Sequence, residues 1–75
     1  MIIVYTKTQC PECSKVKFGL SAAGVAYETR NIEESDQYKQ EHAQYGYSAV
    51  PVTVFPSGKV LVGFDHGDFS MELGL

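Results

Sequence analysis

At 75 residues the chain has room for one small domain, residues 1–75, burying roughly 60% of its unfolded surface, and its composition, 44% hydrophobic and 20% charged, is that of a globular protein and not of a disordered tail. Nine acidic residues against six basic ones give a net charge of −3 with no Lys/Arg cluster, which argues against a nucleic-acid partner. No apolar stretch approaches the roughly 20 residues that span a bilayer, and Met1 to Tyr5 is too short an apolar start for a signal peptide. Two cysteines cannot build the disulfide framework of a small secreted domain. Stability must come from the core, and a reducing, cytoplasmic compartment is expected.

In chain order, Ile2-Ile3-Val4-Tyr5 is a nearly continuous apolar run, as in a strand covered on both faces. Thr6 to Gln9 form a polar loop. From Pro11 to about Ala23 the pattern is helical, with Cys13, Val16, Leu20 and Ala23 on one face, Phe18 opposite, and Gly24 as the stop. Val25 to Arg30 reads as a second strand. Ser35 or Asp36 caps a second helix that runs to Tyr45 and stops at Gly46, and Tyr38, His42 and Tyr45 form a stripe along it. Val50 to Phe55 is β-prone apart from its proline, Pro56-Ser57-Gly58-Lys59 is a hairpin turn, and Val60-Leu61-Val62 returns. A short helix from about Asp68 closes the chain. The order βαβ-α-ββ-α predicts an α/β domain with a four-stranded mixed sheet, three helices and both faces covered, which is the smallest form of the thioredoxin fold.

Cys10-Pro11-Glu12-Cys13 follows the first strand directly and carries the chemistry. Pro11 suits the first position of a helix, where its missing N–H is not needed. Cys10 then meets unpaired backbone N–H groups and the positive end of the helix dipole, both of which favour a thiolate, the nucleophile of disulfide exchange. Cys13, one turn on, is close enough to pair with it. A C-x-x-C motif also fits half a zinc site or a structural bridge. Zinc needs two more ligands, and His42 and His66 lack the usual paired spacing. A bridge closing so short a loop restricts the unfolded chain little. A redox dithiol with no bound metal is the favoured reading.

Val50-Pro51 supplies the second half of the site. A proline opening a strand removes one ladder hydrogen bond and restrains the residue before it. Were the bond cis, the Val50 backbone would face outward, unpaired, and a substrate's extended chain could add to it over Cys10. Base rates alone favour a trans bond; the dithiol reverses that preference.

Tyr5-Thr6-Lys7-x-x-Cys10-Pro11-x-Cys13, Val50-Pro51-Val52 and Gly63-Phe64 together resemble the glutaredoxin family and its NrdH-redoxin branch over essentially the whole chain. The resemblance implies a thioredoxin fold, a cis bond before Pro51, Cys10 as attacking thiol and Cys13 as resolving thiol. Lys7 resembles the family lysine that stabilises a thiolate or a glutathione carboxylate. Where glutathione-binding members continue from Gly-Gly into a hydroxyl or acidic residue followed by an aspartate, this chain has Val62-Gly63-Phe64-Asp65-His66: Val62 stands for the first glycine and His66 at the second acidic position, although Asp65 remains. The branch's Arg-Pro after Gly-Phe is also replaced, by Asp65-His66, and Cys-Pro-x-Cys is more typical of glutaredoxins, so the chain borrows from both; a divergent, phage-encoded member would fit.

Glu12 should oppose a neighbouring thiolate and shift the couple toward a stronger reductant, which the reduction potential of Glu12→Gln would check; an exposed glutamate suiting the helix dipole is the alternative. Tyr47 and Phe64 are expected at an apolar rim that docks a partner. The resulting expectation is a monomeric thiol-disulfide oxidoreductase that uses NADPH only through a reductase. It would be reduced by thioredoxin reductase and donate to a class Ib ribonucleotide reductase. Its rivals are a glutathione-dependent glutaredoxin, an iron–sulfur carrier and a non-catalytic docking module.

Overall fold

Along the first strand Ile2, Val4 and Thr6 point to one side and Ile3 and Tyr5 to the other, and all but Ile3 are buried, so both sides of this strand must be covered. The computed structural model describes residues 1–74. Its elements are β1 (Ile2–Thr6), α1 (Pro11–Ala22), β2 (Tyr27–Asn31), α2 (Asp36–Gln44), β3 (Val52–Val54), β4 (Val60–Val62) and α3 (His66–Leu73). They form one mixed sheet in the order β2-β1-β3-β4, parallel between β1 and β2 and antiparallel elsewhere. This is the minimal thioredoxin fold expected from the order of elements.

Val16 and Leu20 of α1 and Phe69 of α3 pack with Ile2, Val4, Phe55 and Leu61 into one apolar cluster, so α1 and α3 share a face of the sheet. On the other face Tyr5 meets His42 and Tyr45 at ring-centroid distances of 6.0 and 5.9 Å, which places α2 there. The stripe of Tyr38, His42 and Tyr45 thus faces the sheet. Phe18 lies on the solvent side of α1, as its helical position requires.

Three elements differ in their bounds from the sequence reading. β2 begins at Tyr27, not Val25, because the Val25 N–H closes the end of α1 on the Leu20 carbonyl at 3.2 Å and ladder pairing starts with Ile2 opposite Tyr27. β3 covers only Val52–Val54: the chain at Pro51 has not yet entered the ladder with β1, and the Phe55 N–H already turns to the Lys59 carbonyl. α3 starts at His66, not Asp68, because Asp65 caps it, its carboxylate accepting from the Asp68 N–H at 3.0 Å.

Candidate functional site

The approach to the cysteines is set by backbone shape. Gln9 has φ of +56°, an unusual value for a side-chain-bearing residue, and Cys10 is extended, so the chain turns sharply from the loop after β1 into α1. Cys10 is the N-cap: its sulfur accepts from the Cys13 N–H at 3.2 Å, and its carbonyl accepts the first helical bond from Ser14 at 3.1 Å. Pro11 occupies the first helical position. Cys10 and Cys13 are joined as a disulfide with Cα atoms 5.2 Å apart. Cys13 is buried and Cys10 only half-buried, so solvent and partners reach the pair through Cys10.

The bond between Val50 and Pro51 is cis. Tyr5 opposite Val52 is the last rung between β1 and β3 at this end of the sheet, which brings Pro51 to the same edge as the loop leading to Cys10. The Pro51 carbonyl accepts from the Gly63 N–H at 2.8 Å. Gly63 has φ of +74°, and a Cβ added there would lie 3.4 Å from the Glu12 carboxylate. Glu12, Gly63 and Pro51 therefore tie the start of α1, the end of β4 and the start of β3 into one surface. Val50 is half-buried, and among the described residues its backbone makes no hydrogen bond.

The remaining predicted residues surround this surface unevenly. Lys7 is exposed and, among the described residues, makes no salt bridge. Tyr47 is exposed, three residues ahead of Val50 in the chain. Phe64 is half-buried and stacks on Phe69 at 5.5 Å, so one side of its ring belongs to the core. Asp65, the family-like acidic position, is engaged as the α3 cap, and His66 is exposed. Among the described residues no group of three or more His, Cys, Asp or Glu could hold a metal ion.

On the α2 side of the sheet lies a polar cluster that the sequence reading did not find. Arg30 donates to Glu41 at 2.8 Å, pairs with Glu28, and lies over the rings of Tyr5 and Tyr38. The Tyr5 hydroxyl donates to Glu41 at 3.1 Å. Burial, above all, raises the Tyr5 phenol, the Glu41 contact adding to it and Arg30 opposing it. Burial works to raise the Glu41 carboxyl, but hydrogen bonds from Gln37, Arg30 and Tyr5 outweigh it and hold that group below its ordinary value. Arg30 remains charged throughout, held chiefly by Glu28. A charge opposite a tyrosine across parallel strands was the available signal, but it needs the register of Tyr5 against Arg30, which the sequence alone does not give.

Residues 2–61 match the family model described as Glutaredoxin. The glutaredoxin-like protein NrdH of Lactococcus lactis is 35% identical over 52 residues, covering 69% of this chain and 72% of that protein. The crystal structure of the thioredoxin-like protein BC3987 superposes with a TM-score of 0.87 at 30% identity, over 97% of this chain and 99% of the other. The NrdH-redoxin of Escherichia coli shares the fold, with a TM-score of 0.78 at 22% identity over 85% and 83% of the two chains. With its cysteine pair at the head of α1 and its cis-proline surface beside it, the chain belongs to the glutaredoxin family, as an NrdH-like thiol-disulfide oxidoreductase.

Proposed function

We propose that this protein is a dithiol electron donor of the NrdH-redoxin kind, working in the cytoplasm as a single domain. The reduced Cys10 thiolate attacks one sulfur of a target disulfide, forming a mixed disulfide and releasing the target's first sulfur as a thiolate that takes up a proton. The Cys13 thiolate then attacks the Cys10 sulfur. The target leaves with both sulfurs reduced, and Cys10–Cys13 is oxidised by the same two electrons. A flavin reductase of the thioredoxin reductase type, using NADPH, restores the dithiol, and a ribonucleotide reductase of class Ib is the target.

The observation that carries this reading is the Cys10–Cys13 disulfide at the N-terminus of α1, with Cys10 the accessible member of the pair, on the helix start whose Glu12 meets the surface formed by Gly63 and Pro51. Lys7 and the helix terminus supply positive potential for the Cys10 thiolate, and Tyr47, Val50 and Phe64 offer the apolar contacts for a docked protein. Against glutathione as reductant stand Val62 in place of a glycine and an Asp65 carboxylate that already serves α3. An NADPH-coupled disulfide-reduction assay tests the assignment, with thioredoxin reductase in one run and glutathione with glutathione reductase in the other. Turnover with thioredoxin reductase alone, lost in Cys10→Ser, is expected. Turnover with glutathione alone would make Lys7 and Asp65 a sufficient glutathione site and overturn the proposal.

A further inference from the structure

His42 is 5% exposed, on the sheet side of α2, yet among the described residues it is the one polar side chain that hydrogen-bonds from that helix to the segment before Pro51. Its Nε2 lies 2.7 Å from the Ala49 carbonyl oxygen. A carbonyl can only accept, so Nε2 carries the proton and donates. The tilted Tyr5 ring packs against the imidazole at 6.0 Å and limits its rotation. Among the described residues this is the one hydrogen bond that residues 47–50 make. The contact has a consequence for the next peptide. The Ala49 carbonyl and the Val50 N–H belong to the same planar, trans peptide unit, in which C=O and N–H point in opposite directions. Holding the carbonyl inward on His42 turns the Val50 N–H outward, and donation into the carbonyl also polarises that N–H into a better donor.

We propose that His42 is a positioning residue that aims the Val50 N–H at the backbone of a docked disulfide-bearing polypeptide. The proposal rests on the oxidoreductase reading above and adds to it a determinant of substrate class. A disulfide set in an extended chain gains a backbone hydrogen bond at Val50, and a small disulfide with no peptide backbone does not.

The test compares two substrates on the pre-reduced protein by stopped flow: insulin, whose disulfides sit in polypeptide, and 5,5′-dithiobis(2-nitrobenzoate), which has no backbone. The readout is the ratio of the two second-order rate constants. In His42→Phe, which keeps an aromatic ring but has no donor, the insulin-to-small-disulfide ratio is expected to fall about fivefold, the scale of one ordinary hydrogen bond. Asn at this position is too short to reach Ala49 and Gln is long enough, so His42→Asn should behave like His42→Phe and His42→Gln should restore the ratio. This pair also serves if His42→Phe does not fold. A ratio equal to wild type in His42→Phe or His42→Asn, or a fall that His42→Gln does not reverse, overturns the proposal. Failure of the wild-type protein to reduce either substrate would instead overturn the oxidoreductase reading and this inference with it.

Discussion

On one face of the sheet, Val16, Leu20 and Phe69 close over Ile2, Val4 and Leu61 in an apolar layer; on the other, Tyr5 meets His42, Tyr45 and Arg30, with Glu41 bonded to both the phenol and the guanidinium. The first face excludes water and holds the helix that carries the cysteines. The second is built from directional contacts that fix where groups point, among them the Ala49 carbonyl beside the cis-proline surface. Area burial is tolerant of small displacements and hydrogen bonds are not. The division teaches that stability and site geometry are supplied from opposite sides of the same strand.

Deleting matched groups on the two faces should expose that division. Leu20 is completely buried, so Leu20→Ala is expected to cost about 3 kcal/mol through lost burial and a residual cavity. That is a large part of the roughly 4–11 kcal/mol that a chain of this length commonly has. Arg30→Ala removes a partly exposed ion-pair hub and should cost only about 1 kcal/mol. Urea denaturation of both variants checks this. Equal losses would mean that the polar face carries as much of the stability as the apolar one.

A smaller effect of opposite sign is expected from Thr53. It stands opposite both Val4 and Leu61, on the apolar face, and its hydroxyl is buried without a hydrogen-bond partner among the described residues. Thr53→Val keeps the shape and removes the desolvated hydroxyl, so a gain of about 1 kcal/mol in the same urea experiment is expected. A loss would show that the hydroxyl is satisfied in solution and that the apolar face contains a polar contact after all.

How much of this was legible beforehand follows the same division. The nearly continuous apolar run Ile2 to Tyr5, the 3–4 spacing of Cys13, Val16 and Leu20, and Cys-Pro-x-Cys after a strand are local patterns. They placed the sheet, α1 and the cysteine pair. The start of β2 and the two ends of β3 depend on where backbone bonds go, Val25 back to Leu20, Gly63 across to Pro51 and Phe55 to Lys59, and apolar patterning does not report these. The start of α3 was readable from Asp65 three residues before Asp68, but a helix start weighed by apolar spacing alone falls too late. His42 was placed in a helical stripe correctly. Its link to Ala49 depends on the course of the 46–50 segment, which periodicity does not describe.

The weakest and most specific consequence of the two-faced design concerns pH, because the ionisable groups with shifted equilibria that share a cluster all lie on the α2 side. Glu41 is held below its ordinary carboxylate value in the fold, so it contributes stability that is present above the unfolded value of about 4.3 and is lost as pH falls through its folded value. Tyr5 is raised, so its contribution is complete below the unfolded value of about 10 and is lost as pH rises through its folded value. The apolar face contributes to neither limb. Glu41→Gln should therefore be less stable than wild type at pH 7, with the gap narrowing toward pH 3, and Tyr5→Phe should change the alkaline limb and also weaken the acid one, since its hydroxyl is one of the donors that hold Glu41 down. Urea midpoints of the three proteins at pH 3, 7 and 10.5 measure this directly. A gap for Glu41→Gln that stays constant from pH 7 to pH 3 would mean that Glu41 acts through shape and hydrogen bonding alone, and the polar face would then hold its geometry without setting the acid limit of the fold.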